Sequence, residues 1–194
     1  KVRAAAAAAG RRVPILVDLC GPKIRVGDLP EPIQLERGST VVIAHEDDAQ
    51  PGDIPTSYAG FAGDVNPGER VLLDDGLLEL RGIEVEAGRV RLEVVQGGLL
   101  KSRKGINLPD VDVSAPSLTP KDLRDLEFGL EMGAEYISLS FVRRAADVRD
   151  LKERIRGRAL VVSKIEKAQA LRNLDEILVE ADAAVVARGD LGVE

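Results

Sequence analysis

Two apolar runs that each end in charge constrain this chain most. Val161-Val162-Ser163-Lys164-Ile165-Glu166 reads as a buried strand that stops at a polar mouth, and period-2 alternation sets Lys164 and Glu166 on one side. Ala183-Ala184-Val185-Val186-Ala187 repeats the design and runs into Arg188-Gly189-Asp190, where Arg188 and Asp190 share parity. Between them, Ala168 to Ala181 carries Ala170, Leu171, Leu174, Ile177 and Leu178 at helical spacing. Strand, helix, strand is the unit of a parallel sheet, whose active sites collect at the carboxyl ends of the strands. Lys164, Glu166, Arg188, Gly189 and Asp190 all fall there. Spacing alone fits a pair of surface salt bridges at strand ends equally well.

The same rhythm extends upstream. Thr119-Pro120-Lys121-Asp122 places a capping threonine before a first-turn proline, and predicts a helix through Leu123, Leu126, Phe128 and Leu130 to near Gly133. A strand over Tyr136 to Phe141 and a helix over Ala146 to Arg156 follow. Nearer the start, the alanine-rich Lys1 to Ala9 reads as the last turns of a helix stopped by Gly10, and Val13 to Leu19 as a strand closed by Gly21-Pro22. Between Val26 and Asp110 the texture changes. Short, often alternating segments such as 40–43, 70–73, 77–80 and 89–95 are separated by turn signals at Arg37-Gly38, Asn66-Pro67-Gly68, Asp74-Asp75-Gly76, Ala87-Gly88 and Gly97-Gly98. They predict a small β-barrel or sandwich inserted into the α/β part. The expected division is 1–25 and 111–194 for the α/β part and 26–110 for the insert. Closing an eight-stranded barrel takes about 250 residues. These 194 residues make half a barrel at most, with two open edges and apolar helix faces that invite pairing with further chain.

Composition narrows the function. Hydrophobic residues make up 44% and charged residues 31%, an ordinary soluble pattern. A net charge of -6 with dispersed basic residues argues against nucleic acid as the main partner, and no run is long enough for a membrane span. The single cysteine, Cys20, excludes an internal disulfide framework and fits a reducing, cytoplasmic setting. His45 sits among Glu46, Asp47 and Asp48 in a loop-like stretch and reads as a surface residue.

The motifs add what spacing does not. Gly21-Pro22-Lys23-Ile24-Arg25, Leu73-Asp74-Asp75-Gly76, Lys104 to Pro109, Thr119 to Leu126, Ser140 to Arg143, Ser163-Lys164-Ile165-Glu166 and Ala187 to Glu194 occur in the order and spacing of pyruvate kinase, which the chain resembles along nearly its whole length. The resemblance implies strands three to six of a (β/α)8 TIM barrel, interrupted after the third strand by a mobile β-rich lid. It implies phosphoryl transfer from phosphoenolpyruvate to ADP, giving pyruvate and ATP, with Mg²⁺ or Mn²⁺, in a homotetrameric cytoplasmic enzyme.

Carried over by position, Glu166 and Asp190 resemble the carboxylates that hold the divalent metal, and Lys164 the essential lysine. Gly189 and the backbone at Asp190 resemble the receiver of the substrate carboxylate. Arg25 and Lys121 resemble the nucleotide-contacting residues, and Asp75 would face the cleft from the lid. Phe141, Arg143 and Arg188 resemble wall and support of the pocket, a reading no stronger than a purely structural one. One departure concerns the monovalent ion. Asp18 and Leu19 stand at the K⁺-site positions, but Leu19 replaces a threonine and Lys23 a glutamate, so the resemblance implies an enzyme whose lysine ammonium substitutes for K⁺. Two other readings stay open: another Mg²⁺-dependent barrel acting on pyruvate or its enolate, which needs no nucleotide lid, and a non-catalytic nucleotide-binding or scaffold module.

Overall fold

The computed structural model describes residues 1–109 and 111–193. Asp110, at the expected end of the insert, and Glu194, the last residue of the final motif, lie outside the described residues. The chain divides into two compact units, Lys1–Pro22 with Pro116–Ala187 and Lys23–Ala115 with Arg188–Glu194.

In chain order, α1 (Val2–Ala8) and β1 (Leu16–Leu19) open the first unit. The second follows with β2 (Ile33–Leu35), β3 (Thr40–His45), β4 (Ile54–Thr56), α2 (Phe61–Asp64), β5 (Arg70–Leu73), β6 (Leu78–Glu86), β7 (Arg89–Gln96), β8 (Gly98–Leu100) and β9 (Ile106–Asn107). The first then resumes with α3 (Pro120–Glu131), β10 (Tyr136–Leu139), α4 (Ala145–Ile155), β11 (Leu160–Ile165), α5 (Ala168–Arg172), α6 (Leu174–Glu180) and β12 (Ala183–Val186), and α7 (Arg188–Leu191) comes last.

In the first unit the four strands β1, β10, β11 and β12 pair in parallel and in sequence order, the topology of half a (β/α)8 barrel. Alternation along β10 shows why the sheet has two unlike faces. Ile137 and Leu139 are fully buried with Leu19 and Val161 against Leu126, Val148 and Leu151 of the helices, each worth about 1.5–3 kcal/mol of burial. Ser138 and Ser140 alternate with them and turn to the other face, on the side of Asp18 and Lys164. Along the edge strand β12 apolar surface stays open: Val186 is 59% exposed.

Three expectations need correction. The strand expected from Val13 begins only at Leu16, because Pro14 has no N–H to offer a ladder. The helix expected over 168–181 is two helices that meet at Asn173, whose φ of -109° leaves the helical region and whose Nδ2 donates to the Arg143 carbonyl at 2.8 Å. Arg188 and Asp190 lie not on a strand but on the single turn α7. Residues two apart on a helix point about 200° from one another, so the shared parity read from the sequence does not hold there.

The second unit is built around a six-stranded sheet, β4-β3-β7-β6-β5-β9. Its two edges are joined by one short stretch: Arg25 bridges Gly105 beside β9, and Val26 bridges Thr56 of β4. The Val26 N–H donates to the Lys104 carbonyl at 2.9 Å, and the Arg25 carbonyl accepts from the Ser57 N–H at 3.0 Å. The sheet therefore closes on itself as a small barrel, which removes the unpaired edges an open sheet would expose. Phe61, Ile43, Leu80 and Leu92 fill its interior with no exposure.

Candidate active site

The α3 start organises one side of the polar face. Thr119 Oγ1 accepts from the Asp122 N–H at 3.1 Å and Asp122 Oδ2 accepts from the Thr119 N–H at 2.9 Å, a reciprocal cap. Asp122 is fully buried, and its Oδ1 also accepts from the Gly21 N–H at 3.2 Å. The turn after β1 is thereby fastened to the helix. Gly21 has a φ of 65°, and a Cβ there would stand 3.3 Å from Phe141 Cβ and 3.4 Å from the Ser140 carbonyl, so glycine is required for both conformation and space.

At the carboxyl ends of the strands, Lys164 Nζ lies 2.8 Å from Ser140 Oγ, 3.0 Å from Glu166 Oε1 and 3.4 Å from Asp18 Oδ2. Ser138 Oγ donates to Asp18 Oδ1 at 2.6 Å and holds that carboxylate in place. Burial draws Lys164 down, but the nearby carboxylates of Glu166 and then Asp18 outweigh it and leave its pKa above the ordinary lysine value. The side chain is an ammonium at neutral pH. Glu166 is buried; its Oε2 accepts from the Phe141 N–H at 3.3 Å. Its Oε1, although near the ammonium, receives no aligned hydrogen bond.

Two carboxylates around one ammonium leave net negative charge, and Glu166 Oε1 has lone pairs to spare. That donor set fits a hard divalent cation, which usually takes one or two protein carboxylates and fills its remaining positions with water and substrate oxygens. Among the described residues no three His, Cys, Asp or Glu side chains converge on one point.

The sequence-selected residues fall into two groups. Asp18, Lys164 and Glu166 meet in the first unit. Lys121 stands in the first turn of α3, exposed and ion-paired with Asp125. Leu19 is fully buried in the hydrophobic core. Lys23, Arg25, Gly189 and Asp190 belong to the second unit, with Lys23 and Arg25 exposed and Gly189 and Asp190 on α7. Sequence reasoning gave no role to Ser138 and Ser140, yet they orient Asp18 and Lys164. The signal was available: two serines alternating with Ile137 and Leu139 in a buried strand mark a face turned away from the core. Lys167, also passed over, stands 4.5 Å above the Phe141 ring.

A sequentially ordered parallel sheet with helices on its apolar face, and an ammonium among carboxylates at its carboxyl ends, together define part of a (β/α) barrel with a charged cluster where such barrels carry their sites. The chain matches the family model for the pyruvate kinase barrel domain over residues 1–194, and it belongs to that family. It is 44% identical over 198 residues to a pyruvate kinase of Corynebacterium glutamicum, covering 100% of this chain and 42% of that protein. A pyruvate kinase of Geobacillus stearothermophilus is 42% identical over 201 residues, covering 100% of this chain and 34% of the relative. One of Methylorubrum extorquens is 45% identical over 190 residues, covering 96% and 39% respectively. The chain thus spans well under half the length of these curated relatives. Among the described residues no helix is long and apolar enough to cross a membrane.

Proposed function

We propose that this chain is the central segment of a pyruvate kinase, which transfers the phosphoryl group of phosphoenolpyruvate to ADP and releases pyruvate and ATP. The observation that carries the reading is the Lys164 ammonium held among Ser140, Glu166 and Asp18 at the strand ends, in a chain of this family. Lys164 supplies a fixed positive charge where the enolate oxygen and the moving phosphoryl group develop negative charge, and such a charge is worth most when it is already in place. Ser140 and Asp18 keep the ammonium aimed. Glu166 and Asp190 are the carboxylates for Mg²⁺ or Mn²⁺, which when bound neutralises charge on the substrate oxygens. Gly189 and the Asp190 backbone receive the substrate carboxylate, and Arg25 and Lys121 offer positive charge to the ADP phosphates.

In this reading 1–25 and 111–194 are barrel, 26–110 is a lid that excludes water while the phosphoryl group passes, and the full protein is a cytoplasmic homotetramer. The enzyme needs no K⁺: Leu19, buried in the core, offers no side-chain oxygen, and the Lys23 ammonium supplies the charge. The decisive experiment is coupled pyruvate formation from phosphoenolpyruvate and ADP with Mg²⁺, with and without K⁺, beside Lys164→Met. Activity without K⁺ that Lys164→Met abolishes is the expected result. Undiminished activity in Lys164→Met refutes the assignment, and strong dependence on added K⁺ refutes the role of Lys23.

A further inference from the structure

Phe141 follows β10 with a φ of 62°. A bulky side chain rarely adopts left-handed backbone, and such a residue persists only where its surroundings over-determine it. Here they do. The Phe141 carbonyl accepts from Ser117 Oγ at 3.1 Å, and its ring lies under Lys167 Nζ at 4.5 Å and Arg143 Cζ at 5.1 Å. The next residues are held as well, the Arg143 N–H by Asp147 Oδ2 at 2.9 Å and the Arg143 carbonyl by Asn173 Nδ2 at 2.8 Å. The sharp turn takes the Phe141 N–H out of the strand ladder, whose β10–β11 register ends at Leu139 and Ser163. It delivers that N–H to Glu166 Oε2 at 3.3 Å inside the protein.

We infer that Phe141 is a positioning residue: its left-handed backbone ties down one oxygen of Glu166 and so leaves the other, Oε1, as the oxygen presented to a divalent cation. The inference rests on the reading of Glu166 as a metal ligand. It gives a reason for the asymmetry of that carboxylate, with Oε2 bonded to a backbone N–H and Oε1 buried, 3.0 Å from the Lys164 ammonium but without an aligned hydrogen bond. It also separates the backbone of Phe141, which acts on Glu166, from the ring, which clamps the turn through two cations. Partners that orient a ligating carboxylate are worth about 10–100-fold in metal affinity.

The test is Mn²⁺ binding to the full chain without substrates, measured by calorimetry for the wild type, Phe141→Gly, Phe141→Val and Glu166→Gln, with metal-free thermal unfolding alongside. Glycine adopts positive φ freely and valine resists it. Phe141→Gly is expected to hold Mn²⁺ within about threefold of the wild type, and Phe141→Val to bind at least about tenfold more weakly. Both lose the ring, so both lower the unfolding midpoint; a purely structural role predicts that affinity follows that loss and not the backbone preference. Equal affinities in the two Phe141 variants, with Glu166→Gln impaired, overturn the positioning role alone. Wild-type affinity in Glu166→Gln overturns the metal-ligand reading and the inference with it.

Discussion

Both units carry one-to-one ion pairs on their surfaces, Lys152 with Asp182 and Arg149 with Glu180 among those of the sheet unit, but the strand ends of the sheet unit depart from that pattern. In the inserted barrel, cations meet carboxylates one to one: Arg89 forks onto Asp53 at 2.7 and 2.9 Å, Arg103 onto Asp28 at 2.8 and 3.1 Å, and Lys104 reaches Asp74 at 2.8 Å. In the parallel-sheet unit one ammonium, Lys164, is shared between Asp18 and Glu166, and a buried carboxylate oxygen goes without an aligned donor. A matched pair is finished chemistry and serves local structure. A cluster at the strand ends with one ammonium between two carboxylates is left with net negative charge, which is the feature the proposed function builds on.

The largest expected effect breaks one cation from each unit. On the proposed function, Lys164→Met should lower the rate of pyruvate formation at least about a hundredfold, the scale of removing a preorganised charge from a developing anion. Arg89→Met leaves turnover within about twofold, because its pair contributes only to the insert's own packing, while the insert unfolds more readily. A comparable loss of turnover in both would erase the contrast, since the insert's pairs would then belong to the chemistry.

Core truncations probe the same contrast in stability. Leu139→Ala and Leu80→Ala each remove a fully buried side chain and each should cost about 2–5 kcal/mol. Hydrogen exchange should show the losses in different places, Leu139→Ala releasing amides of β1, β10 and β11, and Leu80→Ala those of β5, β6 and β7. If either variant released amides throughout the chain, the two units would be one cooperative body.

How far the sequence foretold this depends on the range of the forces involved. β11, β12 and α3 were legible because apolar period and capping residues are local, and Thr119 to Asp122 spells its own cap. Lys164 and Glu166 were legible as neighbours because strand alternation fixes them. The break at Asn173 was not, since it answers to a carbonyl of Arg143 on another connection. Nor was the left-handed Phe141, which depends on Ser117 and Glu166 arriving from elsewhere in the chain. Barrel closure by Arg25 and Val26 was hidden for the same reason: two isolated bridges leave no periodic trace.

The cap itself offers a smaller test. Thr119→Ala should destabilise the sheet unit by about 1 kcal/mol, the usual worth of an N-cap side chain, and Thr119→Ser should restore most of it. Because Asp122 also holds the Gly21 N–H, the loss should be accompanied by faster exchange at Gly21. Unchanged exchange there would mean that Asp122 keeps its place without the threonine.

The smallest effect asks what one finished pair of the sheet unit, of the kind that also occurs in the insert, is worth. Glu135, just before β10, accepts from Arg3 Nη1 at 2.8 Å and from the Ile15 N–H at 2.8 Å. The Arg3 hydrogen bond first, then the Ile15 N–H, lower its pKa from 4.5 to about 2. A lowered carboxylate pKa means that the unfolded chain binds the proton first as acid is added. The contribution is therefore complete above pH 4.5 and fades as pH falls toward 2. Lys164 behaves oppositely: with its pKa raised above 10.5, its contribution is complete below that pH and is lost only in stronger alkali. Unfolding midpoints followed from pH 5 to pH 2 should fall less steeply in Arg3→Met than in the wild type. Some slope should survive, because the Ile15 N–H still favours the ionised carboxylate. Identical acid slopes would show that the exposed Arg3 pair is screened to nothing.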